Sequence, residues 1–356
     1  METVLEIKIA KSKQSKINEV DFSNLGFGNY VTDHMFVCEY KERSWNDARI
    51  LPFGKFSIAP NALAFHYGQT VFEGMKAFRM IDGNISIFRM DRHFSRLNTS
   101  LKRMCMPEIP FDLFSESLIQ LIRIDNAWVK NIQGTSLYIR PFVIATEERF
   151  GVKVSDEYKF IVFTGVVDNY YSKPLKVKIE ENFIRAAKGG TGYAKCGGNY
   201  GGSFYPTFLA KSEGFDQVLW TDGSNEHNIE ESGTMNVMFV IDNKVVTPAL
   251  SDTILGGVTR DSVLNLAKYL GYKTEERSIS MFELQKKFNQ GKIREAFGTG
   301  TAADTTPISS VNISGIDFQL PEYNDNCFHR KVKKLLLEIR LGIETDKYNW
   351  NTILSV

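Results

Sequence analysis

A glycine-rich stretch around a single lysine is the feature that most constrains this chain. Residues 188–202 read KGGTGYAKCGGNYGG, in which seven of fifteen residues are glycine and Lys195 lies at the centre. Glycine permits positive φ angles and lets a backbone approach a planar ligand or another chain closely. A surface loop with a solvated lysine explains the composition. A surface loop does not need the tyrosine, cysteine and asparagine among the glycines. These residues favour a lysine held for covalent chemistry with a carbonyl group, and the segment alone supports the two interpretations equally.

Length and apolar periodicity predict two α/β domains. At 356 residues, 43% hydrophobic and 24% charged, the chain is longer than one compact core needs. Residues 136–146 and 159–167, rich in Ile, Val, Phe and Tyr, predict buried strands, and residues 90–104 predict a helix. The apolar pattern lapses over residues 168–174, which we therefore interpret as a linker.

The second half predicts two further strands and one well-defined helix. QVLWTD and TMNVMFVID have the composition of strands. Residues 259–271 have the apolar spacing of a helix, with Thr259 as the expected N-cap and Gly271 as the expected stop.

Charge and cysteine usage exclude several classes of protein. Forty-three basic and forty-two acidic residues give a net charge of +1, so no polybasic surface is available for nucleic acid or anionic lipid. No apolar run approaches the roughly 18 residues of a membrane span. The four cysteines are far apart and form no CxxC, which excludes a disulfide scaffold and a thiolate zinc site. The five histidines lack paired metal-ligand spacing, so no metal is expected, and the N-terminus resembles no targeting peptide, so a cytoplasmic location is expected.

Two adjacent glutamates precede an apolar strand. In HNIEESGTMNVMFV (227–240), Glu230 and Glu231 fit solvated turn residues when taken alone. If instead one is buried at the start of that strand, it requires a cationic or protonated partner. A protonated pyridine nitrogen is one such partner.

Two glycine-containing segments are candidate anion sites. In LGGVTRDSV (255–263), flexible glycines lead into a helix start whose amides favour a phosphate, although ordinary capping explains the threonine equally well. FGTGTAADTTP (297–307) superficially matches a dinucleotide fingerprint. That fingerprint needs a long helix after its last small residue, and Thr305, Thr306 and Pro307 prevent one. We interpret this segment as a turn that offers amides and hydroxyls to an anion.

Taken in order, these segments resemble the branched-chain amino acid aminotransferases, which are fold-type IV pyridoxal-phosphate enzymes of the class IV aminotransferase family. Eight matching segments run over almost the whole chain. They are FGNYVTDHM (27–35), HYGQTVFEGMKAFR (66–79), HFSRLNTS (93–100), SLYIRP (136–141), RAAKGGTGYAKCGGNYG (185–201), EESGTMN (230–236), GGVTRDSV (256–263) and FGTGTAAD (297–304).

The resemblance implies pyridoxal 5′-phosphate as the cofactor and assigns its contacts. Lys195 matches the Schiff-base lysine, which also moves the proton between the substrate Cα and the cofactor. Tyr200 matches the tyrosine on the phenolic O3′, and Glu231 matches the carboxylate on the pyridine nitrogen. The remaining contacts that it implies are Arg96, Arg185, Thr234, Val258, Thr259 and Thr301, most of them around the phosphate.

The resemblance also implies the substrates and the assembly. Branched-chain L-amino acids and 2-oxoglutarate would exchange an amino group, in biosynthesis or degradation. Phe27, Tyr67, Phe72 and Tyr138 match an apolar pocket, Arg140 matches the residue that binds the distal carboxylate of glutamate, and Thr301 and Ala302 would bind the α-carboxylate. Phe150 and Val152 match a loop that reaches a neighbouring subunit's site, which implies a homodimer at least. The redox-active CxxC of some relatives is replaced by Ala303 and Thr306, so thiol regulation there is not expected.

The implied fold is a mixed α/β fold of two domains. A smaller N-terminal domain would span residues 1–170, and a linker would span residues 171–183. A larger domain, with a barrel-like sheet and the lysine that binds the cofactor, would span residues 184–356. Three alternatives stay open: a D-amino acid aminotransferase or aminodeoxychorismate-type lyase of the same fold, an NAD-dependent oxidoreductase resting on GTGTAA alone, and a non-catalytic binding protein.

Overall fold

The computed structural model describes residues 6–168, 170–171 and 173–356, and the chain divides into two compact units. Unit 1 consists of residues 1–170, 194–198 and 338–356. Unit 2 consists of residues 171–193 and 199–337. Among the described residues, no helix is long and apolar enough to cross a membrane.

Helices and strands alternate along much of the chain. The α-helices are α1 Leu63–Tyr67, α2 Met90–Arg103, α3 Phe111–Ile124, α4 Gly198–Ser212, α5 Val258–Tyr269, α6 Met281–Asn289 and α7 Phe328–Leu341. The strands of unit 1 are β1 Lys8–Ile9, β2 His34–Lys41, β3 Ser44–Pro52, β4 Thr70–Phe72, β5 Met75–Arg79, β6 Ile85–Phe88, β7 Ser136–Ala145, β8 Tyr158–Val167 and, from the C-terminal segment, β18 Asn351–Leu354. The strands of unit 2 are β9 Leu175–Glu180, β10 Gln217–Thr221, β11 Ile229–Ser232, β12 Met235–Ile241, β13 Lys244–Thr247, β14 Lys273–Glu276, β15 Ile293–Gly300, β16 Asp304–Ile313 and β17 Ile316–Gln319.

Unit 1 is built on one sheet with the order β1-β3-β2-β8-β7-β5-β6-β18, and β4 pairs with β7. The apolar face of α2 packs on α3, where the ring of Phe94 lies 5.1 Å from Phe111 and 5.4 Å from Phe114. The helix predicted over residues 90–104 and the strands predicted over 136–146 and 159–167 are confirmed as α2, β7 and β8.

In strand β7, the alternation of side chains between the two faces determines which residues can reach a functional site. Leu137, Ile139 and Val143 are buried in the core, while the alternate residues Tyr138 and Arg140 share the other face. β7 pairs with β5 through residues 137–139 and with β4 through residues 142–144. The interruption between the two pairings lies opposite Glu73 and Gly74.

Unit 2 contains a closed sheet. The order β11-β10-β9-β16-β15-β12 returns to its start because β11 also pairs with β12, which gives a barrel-like ring of six strands. The strands predicted from QVLWTD and TMNVMFVID are confirmed as β10 and β12. Val237 and Phe239 of β12 lie in the apolar core of this unit. The mixed α/β fold class is therefore confirmed.

The expected domain limits need correction beyond residue 170. Residues 171–183, expected to be a linker, contain β9, which is hydrogen-bonded to β10 and β16 inside the sheet of unit 2. Residues 194–198 and 338–356, expected in the second domain, belong to unit 1. The C-terminal residues do so because β18 adds to β6 as a strand.

Candidate active site

Lys195 is fixed through its backbone to strand β4 of unit 1. The amide of Phe72 donates to the carbonyl of Lys195 (3.1 Å), and the amide of Gly197 donates to the carbonyl of Thr70 (3.1 Å). The amide of Lys195 donates to Ser100 Oγ on α2 (2.9 Å). Cys196 thus forms an isolated antiparallel bridge with Val71 of β4, so the surface-loop interpretation is wrong for this part of the glycine-rich stretch. The Nζ atom of Lys195 lies 4.8 Å from the centre of the Phe72 ring.

A buried carboxylate next to Phe72 binds the side chain of Arg96. Glu73 Oε1 accepts from Arg96 Nε (2.6 Å), and Oε2 accepts from Arg96 Nη2 (2.9 Å). The Nδ1 atom of His93 is 2.8 Å from Glu73 Oε2. His93 and Arg96 are one helical turn apart on α2, so both reach the same carboxylate. This cluster orients a guanidinium group that the resemblance assigns to phosphate binding.

The charges in this cluster compensate one another. Burial alone would raise the pKa of Glu73, but the charges and hydrogen bonds of Arg96 and His93 hold that pKa well below its usual range. Burial lowers the pKa of His93, and Glu73 opposes that shift. The carboxylate is therefore ionised at neutral pH and neutralises Arg96.

Four of the predicted substrate residues come together around one apolar surface of unit 1. The ring of Phe27 packs edge-on against Tyr138, with ring centres 5.0 Å apart. The guanidinium of Arg140 lies 4.9 Å from the Phe72 ring centre and donates from Nη2 to the Tyr138 hydroxyl (3.2 Å). A Cβ on Gly74 would lie 1.8 Å from that hydroxyl, so any larger residue there would displace the side chain of Tyr138.

Arg140 is a cation without a carboxylate among the described residues. Its Nε atom is buried and makes no hydrogen bond within that part of the chain. A half-buried guanidinium with a buried, unbonded Nε favours an anionic partner. The arrangement therefore suits a ligand that carries a carboxylate across the ring of Phe72.

Three other predicted substrate residues stand apart. Tyr67 ends α1 with its ring partly exposed, 6.1 Å from the ring of His66. The side chains of Phe150 and Val152 are 89% and 82% exposed. Large apolar side chains at that exposure are typical of a contact surface.

In unit 2, the two adjacent glutamates are both buried in β11, so the solvated-turn interpretation is wrong. Glu231 Oε2 lies 3.3 Å from Arg185 Nε, and its Oε1 accepts from the amide of Leu255 (2.6 Å). Glu230 Oε1 accepts from the hydroxyl of Thr253. Burial raises the pKa of Glu230 to about 7, while Thr253 and Arg185 oppose that shift. Arg185 is the partner that a buried Glu231 requires.

The two candidate anion sites differ from each other in structure. Helix α5 begins at Val258 with Gly257 as its N-cap and no side-chain cap, so the prediction of Thr259 as N-cap is wrong. Thr259 is instead the second helical residue, and Gly271 follows the helix with φ +78°, as its predicted role requires. An uncapped N-terminus leaves amides directed at an anion.

The GTGTAA segment forms a hairpin. β15 and β16 are antiparallel and joined by a turn over residues 301–303, which contains Thr301 and Ala302. Strand β16 follows this turn directly, whereas the dinucleotide fingerprint requires a long helix at that place.

The remaining cofactor candidates lie at the edges of elements in unit 2. Tyr200 is half-buried in the first turn of α4. Thr234 is exposed in the turn between β11 and β12. The cofactor contacts of both residues stay predictions.

Sequence reasoning missed the residues that hold others in place. Glu73, His93 and Ser100 contact Arg96 or Lys195 but were not assigned a site role. The available signal was the single carboxylate inside the apolar run VFEGMKAF, since a charge that is buried needs a partner.

A group of potential metal ligands also escaped the spacing argument. Ligand atoms of Glu295, Cys327 and His329 lie within 4.8 Å of one another. Glu295 accepts from the amides of Phe328 and His329 and from His329 Nδ1 (2.7 Å). Because donors at the start of α7 occupy this carboxylate, we interpret the group as a helix cap.

Comparison with known proteins decides the family. The family model described as "Amino-transferase class IV" matches residues 70–311. The chain belongs to the class IV aminotransferases. Branched-chain-amino-acid transaminase 1 of Bacillus subtilis (strain 168) is 43% identical over 335 residues, which cover 93% of this chain and 94% of the relative. A branched-chain-amino-acid aminotransferase of Mycolicibacterium smegmatis is 40% identical over 94% of this chain and 93% of its own length.

Solved structures of the family agree with the aminotransferase fold. The Escherichia coli branched-chain amino acid aminotransferase has a TM-score of 0.73 and 25% identity, over 90% of this chain and 98% of that one. The Thermobaculum terrenum enzyme, solved in its PLP-bound holo-form, has a TM-score of 0.73 and 23% identity, over 90% and 98%. The family model and the relatives together confirm the resemblance to this aminotransferase family.

Proposed function

We propose that this aminotransferase moves the amino group of L-leucine, L-isoleucine or L-valine to 2-oxoglutarate and uses pyridoxal 5′-phosphate. The names of the relatives support the amino donor. The observation that carries the proposal is the ring of Phe72, which has Lys195 Nζ 4.8 Å away and the Arg140 guanidinium 4.9 Å away. An amine and a carboxylate-binding cation on one apolar ring suit a pocket for both aliphatic and acidic substrates.

The residues present fit a phosphorylated pyridine cofactor. Glu231 is buried beside the cation of Arg185, and a buried carboxylate of this kind suits a protonated ring nitrogen. The N-terminus of α5 has no side-chain cap, and the buried Thr299 Oγ1 lacks a hydrogen bond within the described chain, both of which suit a phosphate. When bound, the cofactor supplies a ring that withdraws electrons from the substrate Cα.

Each proposed contact has a separate task. Lys195 would bind the cofactor's carbonyl carbon through Nζ and move the proton at the substrate Cα. Tyr200 would donate to the phenolic oxygen, and Glu231 would keep the ring nitrogen protonated. The residues assigned to the phosphate or its surroundings are Arg96, Arg185, Thr234, Val258, Thr259 and Thr301.

The substrate contacts follow from the grouping in unit 1. Phe27, Phe72 and Tyr138 would exclude water from an aliphatic side chain, together with Tyr67. Arg140 would bind the distal carboxylate of 2-oxoglutarate or glutamate. The turn at Thr301 and Ala302 would offer amides to the α-carboxylate.

We propose a homodimer, in which Phe150 and Val152 of one subunit contact the site of the other. Their exposure supports a role for these apolar side chains in contact with another chain. We also propose a reducing location such as the cytoplasm, in keeping with four free cysteines, of which Cys38 and Cys196 are buried.

The test is amino transfer by purified, cofactor-loaded protein. L-Leucine, L-isoleucine and L-valine are offered as donors with 2-oxoglutarate, and D-alanine serves as the comparison donor. We expect turnover with the three L-amino acids and none above background with D-alanine. Lys195→Ala should abolish turnover, whereas Lys188→Ala, an exposed lysine of the same stretch, should retain it. Turnover by Lys195→Ala, or a preference for D-alanine, would contradict the proposal.

A further inference from the structure

Strand β11 carries two adjacent buried glutamates, and only one of them has a task in the proposed function. Glu231 and Glu230 are 3% and 5% exposed. Glu231 has an ion pair with Arg185 and a hydrogen bond from the amide of Leu255. Glu230 has no ion pair among the described residues: Oε1 accepts from Thr253, and Oε2 has no hydrogen bond there. A buried carboxyl group with so little compensation is costly unless it carries a proton.

One loop, residues 251–255, binds both glutamates. Adjacent side chains of a strand point to opposite faces, so a shared set of partners is not expected from β11 alone. The hydroxyl of Thr253 donates to Glu230, and the amide of Leu255, two residues later, donates to Glu231. Ser251 Oγ accepts from the amide of Thr253 (3.2 Å) and lies 2.8 Å from its hydroxyl. The loop is therefore anchored at the position of Glu230.

The same threonine also holds the cation of the neighbouring pair. Arg185 Nη2 donates to the carbonyl of Thr253 and to the carbonyl of Gly192 (2.9 Å). A Cβ on Gly192 would lie 2.6 Å from Cα and O of Thr253, so the two backbones are in direct contact. Displacement of Thr253 would move Arg185 and would therefore change the distance from Arg185 Nε to Glu231.

The charged groups around Glu230 explain why it is suited to an uncharged state. Burial raises the pKa of Glu230 to about 7, Glu231 and Asp222 add to that shift, and Thr253 and Arg185 oppose it. When Glu230 is protonated, the opposite charges of Arg185 and Glu231 balance one another. Ionisation of Glu230 would place a second buried negative charge beside Glu231.

We propose that Glu230 is a positioning residue whose uncharged carboxyl group holds Thr253 and thereby fixes the Arg185–Glu231 pair that faces the cofactor's ring nitrogen. This inference rests on the proposed role of Glu231. Glu230 would not touch the cofactor itself. It acts through its hydrogen bond with the loop at Thr253. Because its carboxyl group is uncharged, it also adds no second negative charge beside Glu231.

The hydrogen bond is tested by two substitutions of Thr253. Thr253→Val removes the hydroxyl at nearly constant shape, and Thr253→Ser keeps it. The readout is the dissociation constant of the apoprotein for pyridoxal 5′-phosphate, with the melting temperature measured beside it. We expect about a tenfold weaker affinity for Thr253→Val, as for a lost hydrogen bond to a buried group, and affinity within about twofold of wild type for Thr253→Ser. Equal affinities for the two variants would overturn the inference.

The uncharged state is tested at Glu230. Glu230→Gln keeps an acceptor for Thr253 but cannot ionise, and Glu230→Leu removes the acceptor. We expect the absorption of the cofactor bound to wild type to change between about pH 6 and 8, as Glu230 ionises. Glu230→Gln should retain cofactor affinity at pH 6 and should not show this change. Glu230→Leu should lose affinity as Thr253→Val does. The exposed neighbour Glu226→Gln is the matched control and should behave as wild type.

Stability gives a readout that does not involve the cofactor. Because the folded protein holds a proton on Glu230 above the pH at which the unfolded chain releases it, wild type should lose stability from about pH 5 to 7 relative to Glu230→Gln. A constant difference between the two proteins over that range would overturn the inference. Failure of wild type to bind the cofactor would overturn the proposed function as well. If wild type binds the cofactor and Thr253→Val binds it with the same affinity, only this inference is overturned.

Discussion

Both oxygens of the Glu73 carboxylate are bound by the guanidinium of Arg96, with distances of 2.6 Å to Nε and 2.9 Å to Nη2. This two-point contact fixes the plane of the guanidinium as well as its position. Glu73 is fully buried, and His93 binds it from the same helix as Arg96. The phosphate-binding role proposed for Arg96 therefore depends on a carboxylate that has no direct part in the reaction.

Glu73→Gln should weaken binding of the cofactor through its phosphate. The amide cannot neutralise Arg96, so the guanidinium loses its fixed orientation. We expect the affinity of the apoprotein to fall at least about tenfold for pyridoxal 5′-phosphate and to change little for pyridoxal, which has no phosphate. Removal of one partner from a buried pair should also lower the free energy of unfolding by about 3–5 kcal/mol.

The stability that Glu73 contributes should depend on pH in a defined direction. The pKa of Glu73 is lowered in the folded protein, so its contribution to stability is complete above the unfolded-state pKa of about 4.3 and is lost as the pH falls further. The stability difference between wild type and Glu73→Gln should be constant above about pH 5 and should shrink below about pH 4. Asp91→Asn, an exposed acid on helix α2, is the control. An equal loss of affinity for pyridoxal would contradict the assignment of Arg96 to the phosphate.

Arg140→Gln should separate the two substrates. Loss of a charged hydrogen bond to the distal carboxylate should raise KM for 2-oxoglutarate by about 10–100-fold, corresponding to about 1.5–3 kcal/mol. KM for L-leucine should change by less than about threefold, because its side chain has no charge to bind. Steady-state kinetics with each substrate varied in turn measures both values. Parallel increases in the two constants would show that Arg140 supports the whole pocket.

Gly192→Ala should disturb unit 2 where Gly202→Ala does not. The new Cβ at Gly192 would lie 2.6 Å from backbone atoms of Thr253, whereas a Cβ at Gly202 meets nothing within 4 Å. We expect Gly192→Ala to destabilise the protein by about 1–3 kcal/mol through overpacking. Gly202→Ala, inside α4, should be neutral or stabilise by up to about 1 kcal/mol. Denaturant unfolding compares the two, and similar stabilities would argue against tight packing at Gly192.

The exposed loop can be tested by mixing inactive subunits. A chain with Phe150→Ser and Val152→Ser keeps Lys195, and a Lys195→Ala chain keeps the loop. If the loop serves the neighbouring site, a mixed dimer contains one complete site, so activity should reappear when the two inactive proteins are dissociated and reassociated together. Light scattering confirms that dimers form. Mixed dimers that remain inactive would show that the loop acts within its own subunit.

The elements of the fold were predictable where apolar spacing or strand composition is distinctive. Helix α2 lies where the spacing of Phe94, Leu97 and Leu101 predicts it, and strands β7 and β8 lie where runs rich in Ile, Val, Phe and Tyr predict them. The limits of the units were not predictable. Residues 171–183 are polar at their start but contain the buried Val177 and Ile179 of β9, whose partners lie far along the chain.

The candidate site divides in the same way. Lys195, Arg96 and Glu231 were identified through motifs that match the family. The roles of Glu73 and Ser100 depend on contacts between segments more than 20 residues apart, which spacing does not reveal. Thr259 was assigned as an N-cap because threonine is a common cap, but Gly257 ends the extended backbone instead, two residues earlier.

The central claim is a covalent bond between the cofactor and the amine of Lys195. Cofactor-loaded protein is reduced with borohydride and digested, and the peptides are analysed by mass spectrometry. We expect one stoichiometric phosphopyridoxyl adduct, located on Lys195. An adduct on another lysine, or none on fully reconstituted protein, would contradict it.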